Sequence, residues 1–130
     1  MKLLLDTHIL LWVEDQPRRI SARLRRIFER PATELWLSPV STSEIAMIVD
    51  SGQVRINRPL EQWFAAMSET FHLHEAPLTH EVVFASRAVT LPHADPADRL
   101  IAGTARYYGL RLVTADQRLL QGSGFSTLAA

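Results

Sequence analysis

With 130 residues, 47% of them hydrophobic, the chain is the length of one ordinary domain, able to bury a core without staples; its zero cysteines exclude disulfides, thiolate metal sites and cysteine nucleophiles. The formal net charge of +0 argues against a surface that attracts nucleic acid everywhere, yet the 14 basic residues are all arginine except Lys2, so local placement matters more than the total. The start "MKLLLDTHILLW" lacks a signal peptide's cleavage region and any span long enough for a membrane helix, which leads us to expect a cytoplasmic protein with no membrane partner.

In chain order, the apolar run at 2–5 predicts a buried strand, and Ile9, Leu10 and Val13 then recur at helical spacing, so Asp6 falls on a strand-to-helix corner. Residues 21–30 predict an amphipathic helix, with Ile20, Leu24, Ile27 and Phe28 on one face and Arg19, Arg23, Arg26 and Arg30 on another. Together with Arg18 and Arg25 these make an arginine-dense segment, a candidate contact face because arginine forms planar, bidentate contacts to phosphate or carboxylate. Strands are expected at 34–37, 71–75 and 111–113, with a weaker one near 125–128. Helices are expected to start at Ser41, Pro59, Thr79 and Pro96, with a short one after Asp116, and Gly52, Gly109 and Gly122 read as stops. Strands alternating with helices in so short a chain predict a single α/β domain over residues 1–130, built on one parallel, doubly wound sheet.

Four acidic corners stand out: Asp6 after "LLL", Glu44 in "SPVSTSEIA", Asp98 in "HADPADRLIAGTA" and Asp116 in "LVTAD". Each has a structural explanation. Ser41 with Glu44 spells a capping box, Asp95 before Pro96 reads as a helix cap, and Asp6 and Asp116 are placed to accept helix-start amides. Capping leaves acids to spare, however, because Asp95 frees Asp98 and the serines at 41 and 43 free Glu44. If Asp6, Glu44, Asp98 and Asp116 converge at the carboxyl edge of the sheet, their mutual repulsion calls for a cation, and an all-oxygen pocket selects Mg²⁺ or Mn²⁺. Such a pocket suits phosphodiester hydrolysis by an activated water. Thr7 and Thr114 are candidates to add a hydroxyl to it, or else simply to hydrogen-bond locally at their corners.

The blocks "MKLLLDTHILLW", "SPVSTSEIA" and "DPADRLIAGTARYYGLRLVTAD" together resemble, in order and spacing, PIN-domain proteins, particularly the VapC-like toxins of bacterial toxin-antitoxin pairs. The resemblance covers essentially the whole chain. It implies a PIN-like three-layer α/β/α sandwich with a short central parallel sheet, and a Mg²⁺- or Mn²⁺-dependent endoribonuclease whose metal ligands are Asp6, Glu44, Asp98 and Asp116. It further implies RNA as substrate, a cognate VapB-like antitoxin and a homodimer. Arg19, Arg23, Arg26 and Arg30 then become candidate contacts to RNA or antitoxin. One departure is plain: similar sequences often carry lysines where this chain has Ile48 and Gln53, which shifts the basic role toward Arg55, Arg58 or the 18–30 segment.

Other signals point less sharply. His72 and His74 fall on one face of an expected strand with no third ligand nearby, His8 and His93 lie closer to the acids, and Trp12, Trp36 and Trp63 read as packing residues. A signalling receiver domain also sets acids at a sheet edge, but it needs a late lysine, and the only lysine is Lys2. A haloacid-dehalogenase-like phosphatase needs an aspartate where His8 stands. The remaining alternative is a catalytically inactive PIN-like module that binds RNA or protein.

Overall fold

The computed structural model describes all residues, 1–130. Its centre is a five-stranded sheet in the order β3-β2-β1-β4-β5, with every pairing parallel. The strands are β1 (Lys2–Leu5), β2 (Glu34–Leu37), β3 (His74–Glu75), β4 (Arg111–Thr114) and β5 (Ser126–Ala129). Alternation along them feeds two cores. Leu3, Leu5, Leu35, Leu37 and Val113 pack with Ile9, Leu10, Leu24, Ile27, Trp63 and Met67 on one face. Leu4 and Leu112 point the other way, to Ile101, Ala105 and Leu119.

Those partners come from α1 (Thr7–Asp15), α2 (Ala22–Glu29) and α4 (Leu60–Phe71) on the first face, and from α6 (Pro96–Tyr108) and α7 (Gln117–Leu120) on the second. The predicted three-layer α/β/α arrangement is therefore present. The helix α3 (Pro39–Asp50) gives Ile45 to one core and Val40 to the other, so it sits at the rim joining the two layers. The short α5 (His80–Ser86) packs on α6. No helix is long and apolar enough to cross a membrane.

The strand order has a functional consequence. From β1 the chain winds one way to β2 and β3, and later returns to place β4 and β5 on the other side, so the switch point lies between β1 and β4. There the Asp6 N–H donates to the Val113 carbonyl at 3.0 Å, holding the two strand ends together.

Several local expectations need correction. α3 starts two residues earlier than Ser41: Ser38 is its cap, its hydroxyl accepting from Val40 N–H at 3.0 Å, with Pro39 in the first helical position. Ser41 is thus a buried residue inside the helix and forms no capping box with Glu44. The strand expected over 71–75 shrinks to His74–Glu75, because α4 continues to Phe71 and closes on His72 in the left-handed region at φ 49°. His72 and His74 therefore share no strand face, and His74 stacks on Trp36 at 5.0 Å between ring centroids. Finally, Arg19 lies outside the amphipathic helix, on a 3₁₀ turn at Pro17–Arg19, while α2 begins after its cap Ser21. Of the three glycine stops, Gly52 and Gly109 have positive φ; α7 ends at Leu120 with Gln121 as its cap, and Gly122, which follows, does not have positive φ.

Candidate active site

At the carboxyl edge of the sheet a cleft of about 360 Å³ is lined by Asp6, Glu44, Asp95, Asp98 and Asp116 together with Thr7, His8, Trp12, Arg19 and Arg118. The four acids singled out in the sequence thus face one space. They arrive on separate elements: Asp6 follows β1, Glu44 is inside α3, Asp98 is in the first turn of α6, and Asp116 follows β4. Arg23, Arg26 and Arg30 do not line this cleft, so the arginine segment divides, with Arg19 alone turned to the acids.

Asp6 and Asp116 do cap their helices, accepting from Thr7 N–H at 2.8 Å and from Arg118 N–H at 2.9 Å. Capping engages only part of Asp6. Its second oxygen accepts from the Thr114 hydroxyl at 2.7 Å, while that hydroxyl oxygen accepts from Asp116 N–H at 3.0 Å, so Thr114 ties the ends of β1 and β4 together. The Thr7 hydroxyl donates to Glu44 Oε1 at 2.6 Å. Both threonines act on the acids themselves, each hydroxyl donating to a carboxylate of the cleft.

The α6 corner divides its labour as capping logic requires. Asp95 accepts from the N–H groups of Ala97 and Asp98 at 2.9 and 3.2 Å, which completes the cap and leaves the Asp98 side chain free to face the cleft. Asp98 Oδ2 meets His93 Nε2 at 2.7 Å, a contact that orients the carboxylate; the other ring nitrogen, Nδ1, is buried without a partner.

The electrostatics separate the acids. Burial pushes the Asp6 carboxyl up, and the charge of Asp98 adds to this, against the lowering effect of its Thr114 and Thr7 hydrogen bonds. Burial also raises Glu44, reinforced by Asp6, Asp98 and Asp95 and opposed by the Thr7 hydroxyl. Asp116 moves the other way, because the Arg118 side chain donates to both of its oxygens, at 3.3 and 3.1 Å, and holds it below the usual range.

No three His, Cys, Asp or Glu side chains stand in a ready-made metal cage. Asp6 and Asp116 have both oxygens engaged in hydrogen bonds, and Glu44 and Asp98 each have one. The donor set nevertheless fits a hard divalent ion. It is all oxygen, each carboxylate oxygen has a second lone pair, and two of the acids are raised by burial and by repulsion from acids they face.

Sequence spacing did not single out Arg118, although its position two residues past a capping aspartate is where a cap's own helix begins. Nor did it decide between a site and a corner role for His93; the contact to Asp98 joins it to the cleft.

Comparison with known proteins bears on the family and the fold. A family model described as PIN domain matches residues 3–123. Over 119 residues the chain is 36% identical to Ribonuclease VapC22 of Mycobacterium tuberculosis (strain ATCC 25618 / H37Rv), covering 89% of this chain and 88% of that one. Among solved structures, VapBC2 from Rickettsia felis bound to a DNA fragment from their promoter gives a TM-score of 0.71 at 16% identity, over 99% of this chain and 98% of that one. DNA-bound VapBC from Salmonella typhimurium gives 0.63 at 17%, over 99% and 98%. At such identities the structures show a shared fold, and with the family match and the closer relative the conclusion is direct: the chain belongs to the PIN-domain family.

Proposed function

We propose that this chain is a Mg²⁺- or Mn²⁺-dependent endoribonuclease, the toxin of a toxin-antitoxin pair, acting in the cytoplasm on RNA and held silent by a cognate VapB-like antitoxin. The observation that carries the chemistry is the convergence of Asp6, Glu44 and Asp98, from three different elements, on one cleft where burial and mutual repulsion raise Asp6 and Glu44. A structural cap needs no such convergence. The toxin reading is supported by 36% identity to a protein named a ribonuclease and by a fold shared with VapBC complexes, and a homodimer belongs to the same reading.

Asp6, Glu44 and Asp98 are the residues we assign to hold the ion, with Asp116 joining them when Arg118 releases it. When bound, the ion lowers the pKa of an attacking water and offsets charge on the phosphate. The chain's own part is positional. Thr114 and Thr7 aim the Asp6 and Glu44 carboxylates, and His93 aims Asp98, onto the cleft of about 360 Å³.

The test is cleavage of a labelled, structured RNA by the purified chain with Mg²⁺ or Mn²⁺ and with chelator, beside an Asp98→Asn variant purified identically. Cleavage that needs both the metal and Asp98 is the expected result. Binding of RNA with no metal-dependent, Asp98-dependent cleavage would identify an inactive binding module instead.

A further inference from the structure

Arg19 behaves unlike any other arginine at the cleft. It lies in a pocket wall shared with five acids, yet it makes no ion pair with any of them. Its guanidinium carbon sits 4.6 Å from the centre of the Trp12 ring, a cation–π arrangement. Arg118, the other arginine of this wall, is spent on Asp116. The Pro17–Arg19 turn presents Arg19 from a backbone that starts on proline, and α1, which carries Trp12, begins at the Asp6 cap itself.

Trp12 is also distinct. The indole N–H groups of Trp36 and Trp63 donate to Glu34 and Glu14, at 3.2 and 2.7 Å, and the Trp12 N–H has no partner within the chain. Its ring lies 5.9 Å from the His8 ring at a 46° tilt, so the cleft wall next to Asp6 is a run of His8, Trp12 and Arg19. A planar cation backed by an aromatic ring, with its edge donors unused, matches the two parts of an unpaired nucleotide: a flat base and a charged phosphate.

Resting on the ribonuclease reading of this cleft, we propose that Trp12 and Arg19 form a subsite for one unpaired nucleotide of the RNA next to the scissile phosphate. The base stacks on the Trp12-backed guanidinium, the guanidinium edge takes the adjoining phosphate, and the acids hold the reacting group beyond it. The subsite selects single-stranded over duplex RNA, because a base locked in a helix has no free face to offer.

The test is equilibrium binding of a short fluorescein-labelled single-stranded RNA of mixed sequence, and of the same RNA as a duplex, to the full chain carrying Asp98→Asn. To that background Trp12→Leu or Arg19→Gln is added. Leucine keeps an apolar group against the core that Trp12 touches, and melting temperature is followed alongside. Expected is a loss of single-strand affinity of roughly 5- to 100-fold for Arg19→Gln, which removes the stacking plane, and a smaller loss of about 2- to 5-fold, with salt dependence kept, for Trp12→Leu, which removes its backing; the preference over duplex falls in both. For Arg19→Gln the slope of log affinity against log salt should shrink by about 0.7. Single-strand binding unchanged in both variants, equal weakening of duplex, or no RNA binding by the Asp98→Asn chain would overturn the subsite; unchanged binding is also what a wall serving only a protein partner would give. If the parent chain fails to cleave RNA while both substitutions still weaken RNA binding, the subsite stands and the nuclease reading falls. If the parent cleaves and neither substitution affects binding, only the subsite falls.

Discussion

The cleft has two ends built from the same residue type with opposite electrostatics. At the inner end Asp6 is 9% exposed, hydrogen-bonded to Thr114 and Thr7, with its carboxyl raised by burial. At the outer end Asp116, its side chain 29% exposed, is clasped by Arg118 and its carboxyl is lowered. Both cap a helix that follows a strand, and the strands are neighbours. The difference lies in what surrounds the carboxylate, which means that capping geometry alone does not distinguish a structural acid from a candidate ligand.

The largest expected effects are at the inner end. Asp6→Asn should reduce metal-dependent RNA cleavage by more than about 100-fold, beyond the range for residues that merely support a metal ligand, while circular dichroism shows an unchanged fold. Asn keeps the shape and loses the charge. Wild-type turnover by Asp6→Asn would place the chemistry elsewhere in the cleft. Next comes Thr114→Val, which is isosteric and removes the hydroxyl serving both Asp6 and Asp116. It should cost about 1–3 kcal/mol of stability through the buried acceptor left unmet, and roughly 10- to 100-fold in activity or metal affinity. Thr114→Ser should restore most of both, which a denaturation curve and a metal titration of cleavage rate would check.

How far this contrast was legible in the sequence follows from the range of the interactions. The β1 and β2 strands follow from local apolar runs and the parallel sheet from strands alternating with helices, and Asp95 before Pro96 did reveal that Asp98 was spare at its corner. Thr114 and Asp6 are 108 residues apart, and no spacing rule connects them until β4 is laid beside β1. Competing local signals hid other features. Ser38-Pro39 and Ser41-Glu44 are both helix-start patterns, and the one with proline in the first turn prevailed. "HLH" alternates like a strand, but its first histidine closes a helix. Arg19 matched the helical stripe by spacing alone, and the turn at Pro17 moved it off that face and toward the acids.

pH sharpens the comparison because the two ends carry opposite signs. For Glu44 and Asp6 the folded chain holds a proton that the unfolded chain has released, between the ordinary values of 4.5 and 3.8 and their raised ones. Stability of the metal-free protein therefore falls as pH rises through that window, and the full penalty persists above it. Asp116 contributes stability that is present above 3.8 and lost as pH falls through its lowered value, but its exposure keeps that contribution small. In chelator, the melting temperature of Glu44→Gln relative to the parent should rise between about pH 4 and pH 7. Added Mg²⁺ should stabilise the parent at neutral pH and do so less toward acid. A pH-independent difference would mean that neither burial nor its acidic neighbours strain Glu44.

The smallest effect is expected at the outer end, and it tests whether the ends are separate. If Asp116 joins the metal site as proposed, Arg118 competes for it, since its guanidinium donates to both carboxylate oxygens. Arg118→Gln should bring the Asp116 carboxyl back toward its ordinary range and lower the metal concentration for half-maximal cleavage by roughly 2- to 5-fold, the scale of an exposed ion pair. Melting temperature should stay where it is, because Arg118 is exposed. The gain should fade in high salt, where the Arg118 pair is already screened in the parent. A loss of cleavage comparable to that of Asp6→Asn, with melting unchanged, would instead make Arg118 part of the reacting end. Asp116 and Arg118 would then have to be read as a working pair, and the division between a strained interior and a neutralised rim would no longer describe the cleft.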